Sequence, residues 1–182
     1  VNDVERARKI LTEALREGVS QLLAQHGVLA RDDAPGFKPN FGAGVARLAA
    51  CIGFAHPSLK GSLTAYMPAT VLANTLPIPK ASPCSEDLRD WAGEIANQLL
   101  GRMKNTFFAY GVDLAMGVPT IIVGTDYEVV SPREARSSWH SFDCCEQVVF
   151  VHLDTIIDPK LVLRDPDPGD ATSAAEGDAF LF

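Results

Sequence analysis

The sequence predicts an α/β fold of the α+β type: an antiparallel β-sheet packed with two long helices and one short helix. Three observations carry this reading. Residues 2–26 and 85–110 repeat apolar side chains at three- and four-residue steps, the period of amphipathic helices. Apolar runs elsewhere are separated by turn residues, as in hairpins. The length, 182 residues, suits one domain with a substantial core.

In the first helical stretch Val4, Ala7, Leu11, Leu15, Val19, Leu22 and Leu23 form the stripe. Asn2 or Asp3 can cap it and Gly27 can close it. Residues 31–44 read as a loop, rich in Asp, Pro and Gly, with Phe37 and Phe41 pinning it down. Val45 to Phe54 and Leu59 to Met67 then make a hairpin around His56, Pro57 and Ser58. Pro68 suits the first turn of a short helix over Ala69 to Leu76, and a proline-rich linker follows.

The second long stretch, Ser85 to Tyr110, organises the chain. Leu88, Ala92, Ile95, Leu99, Met103 and Tyr110 lie on one face, with Trp91 and Ala96 beside them. Ser85 is the expected N-cap, Glu86 and Asp87 put negative charge in the first turn, and Gly111 is the stop. At about 100° per residue, Asp90, Glu94, Asn97 and Gly101 fall within roughly 60° of one another, opposite the apolar stripe. Glycine inside a helix costs about 1 kcal/mol relative to alanine. A helix that accepts this beside an acid and an amide has a reason to let something approach its backbone.

Beyond Gly111, Val112–Val118 and Ile121–Val123 suggest a strand bent or interrupted at Pro119, at a sheet edge or a bulge, which Tyr127–Val130 continues. After a polar loop at 131–138, Trp139–Cys145 and Val148–Leu153 form a closing hairpin around Glu146 and Gln147. Val148–Leu153 is apolar on both faces, so a central or covered strand is expected. From Asp158 the composition changes: six acids against Lys160 and Arg164, with three prolines and two glycines. The expected organisation is a folded domain over 1–157 and an acidic, flexible tail over 158–182, with the apolar Ala179–Phe182 as an exception.

The formal charge of −7 argues against nucleic acid or an anionic membrane as the main partner. No apolar run reaches 18 residues, and the start of the chain has no signal-peptide core, so a soluble cytoplasmic protein is expected. The four cysteines show no C-x-x-C pair, and reduced thiols are the default.

The run DWAGEIANQLLG, Asp90 to Gly101, resembles the D-x-x-G-E-x-x-N-x-x-x-G signature of the CheC/CheX-type chemotaxis phosphatases. YGVDLAMGVPTIIVG, Tyr110 to Gly124, resembles the P-T-containing stretch that follows the same helix in that family, and Lys60–Thr64 matches its K-G-S element. The resemblance spans residues 4–154, and a single E-x-x-N helix favours the CheX-like branch. It implies a CheC/CheX-like fold, a homodimer paired through its sheets, and hydrolysis of the aspartyl phosphate of a CheY-type response regulator. Glu94 and Asn97 would be catalytic, Asn97 holding the attacking water and Glu94 pairing with the regulator's lysine. Asp90, Gly93 and Gly101 would serve docking. No cofactor is implied for this chain; the Mg²⁺ would sit in the regulator.

Rival readings are a non-catalytic signalling adaptor on the same fold and a flagellar-switch-type structural subunit. Asp90 with Glu94 as an acid pair for glycoside or metal chemistry lacks a further ligand. His140, Cys144, Cys145 and His152 lack the paired spacing of a structural zinc site, so no metal site is expected.

Overall fold

The computed structural model describes residues 2–32, 47–125, 129–144 and 146–166. Phe37, Phe41, Tyr127, Cys145 and residues 167–182 lie outside them, and with them the expectations placed there. Helix α1 spans Asp3–Gln25. The side-chain oxygen of Asn2 accepts a 2.9 Å hydrogen bond from the Val4 N–H, which settles the cap on Asn2. The helix ends on Gly27 at φ +77°, where the Val28 and Gly27 N–H groups close back on the carbonyls of Leu23 and Ala24. After β1 (Ala30–Asp32), the chain enters the hairpin β2 (Arg47–His56) and β3 (Leu59–Met67). The short helix α2 (Ala69–Thr75) follows, with Pro68 as its N-cap residue.

Helix α3 spans Ser85–Ala109, one residue displaced from the expected cap. Cys84 occupies the N-cap position, and the Asp87 carboxylate accepts from its backbone N–H at 2.9 Å. Lys80 also donates to Asp87, at 2.5 Å, and these hydrogen bonds hold the Asp87 carboxyl down at about 2. At the other end Gly111, at φ +82°, makes the same closing turn as Gly27, with Val112 N–H returning to Phe107 O.

The interruption at Pro119 is an edge feature. β4 (Ala115–Met116) and β5 (Thr120–Gly124) both pair with β2, and Gly117 N–H bonds Gly53 O at 2.8 Å between them. The closing hairpin is longer than expected. β6 (Arg136–Cys144) takes in the end of the supposed polar loop, and β7 runs from Gln147 to Ile157. Gln147 pairs with Cys144, so the hairpin turns between them, with Glu146 in the left-handed region.

All pairings are antiparallel, and the sheet order is β1–β6–β7–β3–β2–β4, with β5 also on β2. One face carries the helices. Ile52, Leu63 and Leu153 form a cross-strand row beneath α1 and α3, and Ala50, Ala65, Val151 and Phe142 extend that core. The opposite face carries buried polar side chains, among them Thr64, His152 and Asp154. Trp139 stacks on His152 at 4.2 Å between ring centroids, and Tyr66 lies 5.4 Å from Trp139. Asp154 accepts from Ser137 Oγ at 2.5 Å. Gly61 is forced: a Cβ there would lie 2.0 Å from the Asp154 carbonyl oxygen and 2.7 Å from the Phe54 ring.

β7 is central, flanked by β6 and β3, as its two apolar faces implied. One expectation changes: the domain does not stop at residue 157. Leu161 and Leu163 are 3% and 6% exposed and belong to the core. Leu163 N–H donates to Asp3 at 3.2 Å, and Arg164 N–H donates to the Tyr110 carbonyl at 3.0 Å. The Arg164 guanidinium donates to the Phe108 and Ala109 carbonyls, satisfying free acceptors at the end of α3. Residues 158–166 are therefore part of the fold.

Candidate functional site

The rotation of α3 about its own axis decides which residues it exposes, and contacts on several sides fix that rotation. Towards α2, Trp91 Nε1 donates to the Thr75 hydroxyl at 2.9 Å, and His26 packs edge-on against the Trp91 ring at 4.8 Å. Towards α1, the helices approach closely at Gly18, where a Cβ would meet Leu99 at 3.0 Å. Arg102 adds hydrogen bonds to Gln25 at 2.6 Å and Gln21 at 3.4 Å. Towards the sheet, Ile95, Ala96, Leu99, Leu100 and Met103 are buried. Towards the edge strand, Gly93 faces Ile121 and Pro119, which a Cβ would meet at 3.5 and 3.9 Å.

What remains outward is the strip read from the sequence. Asp90 and Glu94 are exposed, and Asn97 and Gly101 are half-buried. The structure thus brings Asp90, Glu94, Asn97 and Gly101 onto one accessible strip. Gly93 lies on its flank, against the edge strand. Glu94 Oε1 accepts from Gln98 Nε2 at 2.7 Å, which holds the carboxylate one turn from Asn97. Gln98 was not singled out in the sequence, although its i,i+4 spacing to Glu94 was the available signal. Among the described residues, the Asn97 carboxamide has no hydrogen-bond partner. It can both donate and accept towards an incoming molecule. A Cβ at Gly101 would meet nothing within 4 Å, so no packing within the described residues requires glycine there.

His140 and Cys144 sit on the helix-covered face of β6, whereas His152 lies on the opposite face, stacked on Trp139. Among the described residues, no three His, Cys, Asp or Glu side chains gather as a metal site. No helix among them is long and apolar enough to cross a membrane.

The fold is shared with solved chemotaxis proteins. A CheC-like superfamily protein from Shewanella sp. PV-4 is 18% identical with a TM-score of 0.69, over 80% of this chain and 97% of that one. Chemotaxis protein CheX from Vibrio vulnificus is 17% identical with a TM-score of 0.68, over 80% and 98%. The CheX–CheY–BeF₃–Mg²⁺ complex from Borrelia burgdorferi matches at 16% identity and a TM-score of 0.63, over 80% and 97%. Comparison with curated proteins gives no sequence match. The family model described as chemotaxis phosphatase CheX matches residues 48–143, a span that includes β3, all of α3, the strands β4 and β5, and all but the first residue of β2. With more than half of its 182 residues matched, the chain belongs to the CheX family of chemotaxis phosphatases.

Proposed function

We propose that the chain hydrolyses the aspartyl phosphate of a CheY-type response regulator, with Glu94 and Asn97 entering the regulator's active site. The observation that carries this reading is the Asn97 carboxamide, partnerless among the described residues and beside a braced Glu94 on an accessible helix face. Family membership supports it, as does the Borrelia relative, whose solved complex joins CheX to CheY with BeF₃ and Mg²⁺. Beryllofluoride there stands in for the phosphoryl group.

In the proposed reaction the regulator supplies the aspartyl phosphate, a lysine and Mg²⁺, and this chain supplies the position of a water. Asn97 Oδ1 accepts from the water and aligns it with phosphorus, opposite the leaving aspartate. The new P–O bond forms as the aspartyl P–O bond breaks, the carboxylate leaves with the bonding pair, and the water's proton passes to a phosphate oxygen. Such transition states gain chiefly from positioning and charge stabilisation, so one oriented, non-titrating amide has a large effect. Glu94 pairs with the regulator's lysine and sets the docking register. Asp90 adds negative charge at the start of the strip, and Gly101 permits close approach. No cofactor bound by this chain enters the scheme.

Pairing of two copies, and residence in the cytoplasm with the regulator, belong to the same proposal. The test is to mix the chain with each phosphorylated response regulator of its source and follow phosphate loss. Acceleration of one regulator is the expected result. Binding without acceleration would favour the adaptor reading.

A further inference from the structure

Phe108 is 58% exposed although it lies within the last turn of a helix whose other phenylalanine, Phe107, is fully buried. Its phase is informative: at 100° per residue it falls in line with Asp90 and within about 40° of Glu94, Asn97 and Gly101. Eleven positions beyond Asn97, it stands about 16 Å further along the axis. The strip between them is low: Gly101 has open space around it, and Lys104 turns aside to Asp113 at 3.0 Å. One turn before Asn97 on the same helix, a Cβ at Gly93 would meet Pro119 at 3.9 Å, and Val118, next to Pro119 in the interrupted edge strand, is 87% exposed. Single exposed apolar side chains are ordinary on protein surfaces. One in phase with Asn97, whose amide has no partner among the described residues, and another on the edge segment that reaches the same helix are a different pattern.

We infer that Phe108 and Val118 are the apolar contacts that seat the phosphorylated regulator around Asn97, an inference that rests on the function proposed above. The dimensions fit. A compact domain of about 100–150 residues has a radius of gyration near 14 Å and spans on the order of 35 Å, so one with its phosphate over Asn97 also covers Phe108. The acidic strip of Asp90 and Glu94 would meet the cationic end of the partner's active site. Phe108 would enter an apolar depression about 16 Å from the phosphoaspartate. The inference therefore selects the regulator: its receiver carries that apolar depression, and receivers with a charged surface there are rejected.

The test uses the full chain and the regulator loaded with beryllofluoride and Mg²⁺, with affinity measured by titration and turnover measured on the phosphorylated form. Phe108→Ala and Val118→Ser should each weaken binding about tenfold, the scale expected for truncating an interface anchor. They should raise KM while leaving kcat at saturation unchanged, because these contacts exist equally before and in the transition state. Phe108→Leu should recover most of the affinity. Unchanged affinity and KM in both Phe108→Ala and Val118→Ser, with wild-type turnover intact, would overturn this inference and leave the proposed function standing. Loss of self-association in Phe108→Ala, with regulator affinity unchanged, would give the surface to a second copy of the chain and also overturn it. A wild-type chain that binds no loaded regulator would remove the functional reading and this inference together.

Discussion

Leu161 and Leu163 offer the sharpest test of where the domain ends. Leu161→Ala removes a side chain 3% exposed and packed in the main core. Buried leucine-to-alanine changes cost about 2–5 kcal/mol, the sum of lost transfer energy and a residual cavity. The site lies near the end of the described fold, where neighbours can partly collapse, so the lower half of that range, about 3 kcal/mol, is expected. For a chain of this size, that lowers Tm by roughly 6–12 °C. Urea unfolding followed by circular dichroism should show the loss as a lower midpoint with little change in slope. Cutting after Asp158 removes both leucines, the Leu163–Asp3 hydrogen bond and the Arg164 caps, and it should destabilise further. A cut after Pro166 keeps all of these contacts. If Leu161→Ala melted within about 1 °C of wild type, and the Asp158 truncation did likewise, the assignment of residues 158–166 to the fold would be wrong.

Three other outcomes follow from the same geometry. Gly61→Ala should destabilise the chain by about 3 kcal/mol or more in urea unfolding, because the new methyl meets the Asp154 carbonyl and the Phe54 ring inside a central strand pair. Gly101→Ala should raise stability by about 0.5–1 kcal/mol, having open space and better helix propensity, while weakening action on the regulator; a variant both more stable and fully active would remove the close-approach role. Asp87, held at about 2 in the fold against an ordinary value of 3.8, favours the folded state fully above pH 4, and that contribution fades as the pH falls towards 2. Asp87→Asn should flatten that acid limb of the stability–pH curve, and an unchanged limb would show that the α3 cap does not titrate there.

Much of this arrangement was legible because it rests on local chemistry. The two long helices declare themselves by period, and Gly27 and Gly111 close them because only glycine readily takes the left-handed turn there. The strip Asp90–Glu94–Asn97–Gly101 follows from helical phase alone once the buried face is known. The rest depended on non-local packing. Leu161 and Leu163 sit in an acidic, proline-interrupted run, too short for any period to show, yet the surface between the start of α1 and the end of α3 receives them. β7 extends past Leu153 because Asp154 is satisfied by Ser137 across the sheet, a partner no local pattern reveals. The neighbours of Gly93, Pro119 and Ile121, are distant in sequence and brought there by the edge of the sheet, which no local pattern shows. The short strand β1 has too few residues to alternate visibly.

The central claim is that Asn97 positions water, and Asn97→Ala tests it most directly. The side chain is half-buried and has no partner among the described residues, so its removal should change fold stability by no more than about 0.5 kcal/mol. Dephosphorylation should be measured against a regulator that the unmutated chain accelerates, alongside affinity for the same regulator loaded with beryllofluoride and Mg²⁺. The account predicts that acceleration disappears while affinity stays within a few fold of wild type, since the amide acts chiefly in the transition state. Glu94→Ala should instead weaken the complex, having lost a charged contact across the interface. Hydrolysis at the wild-type rate in Asn97→Ala would contradict the account.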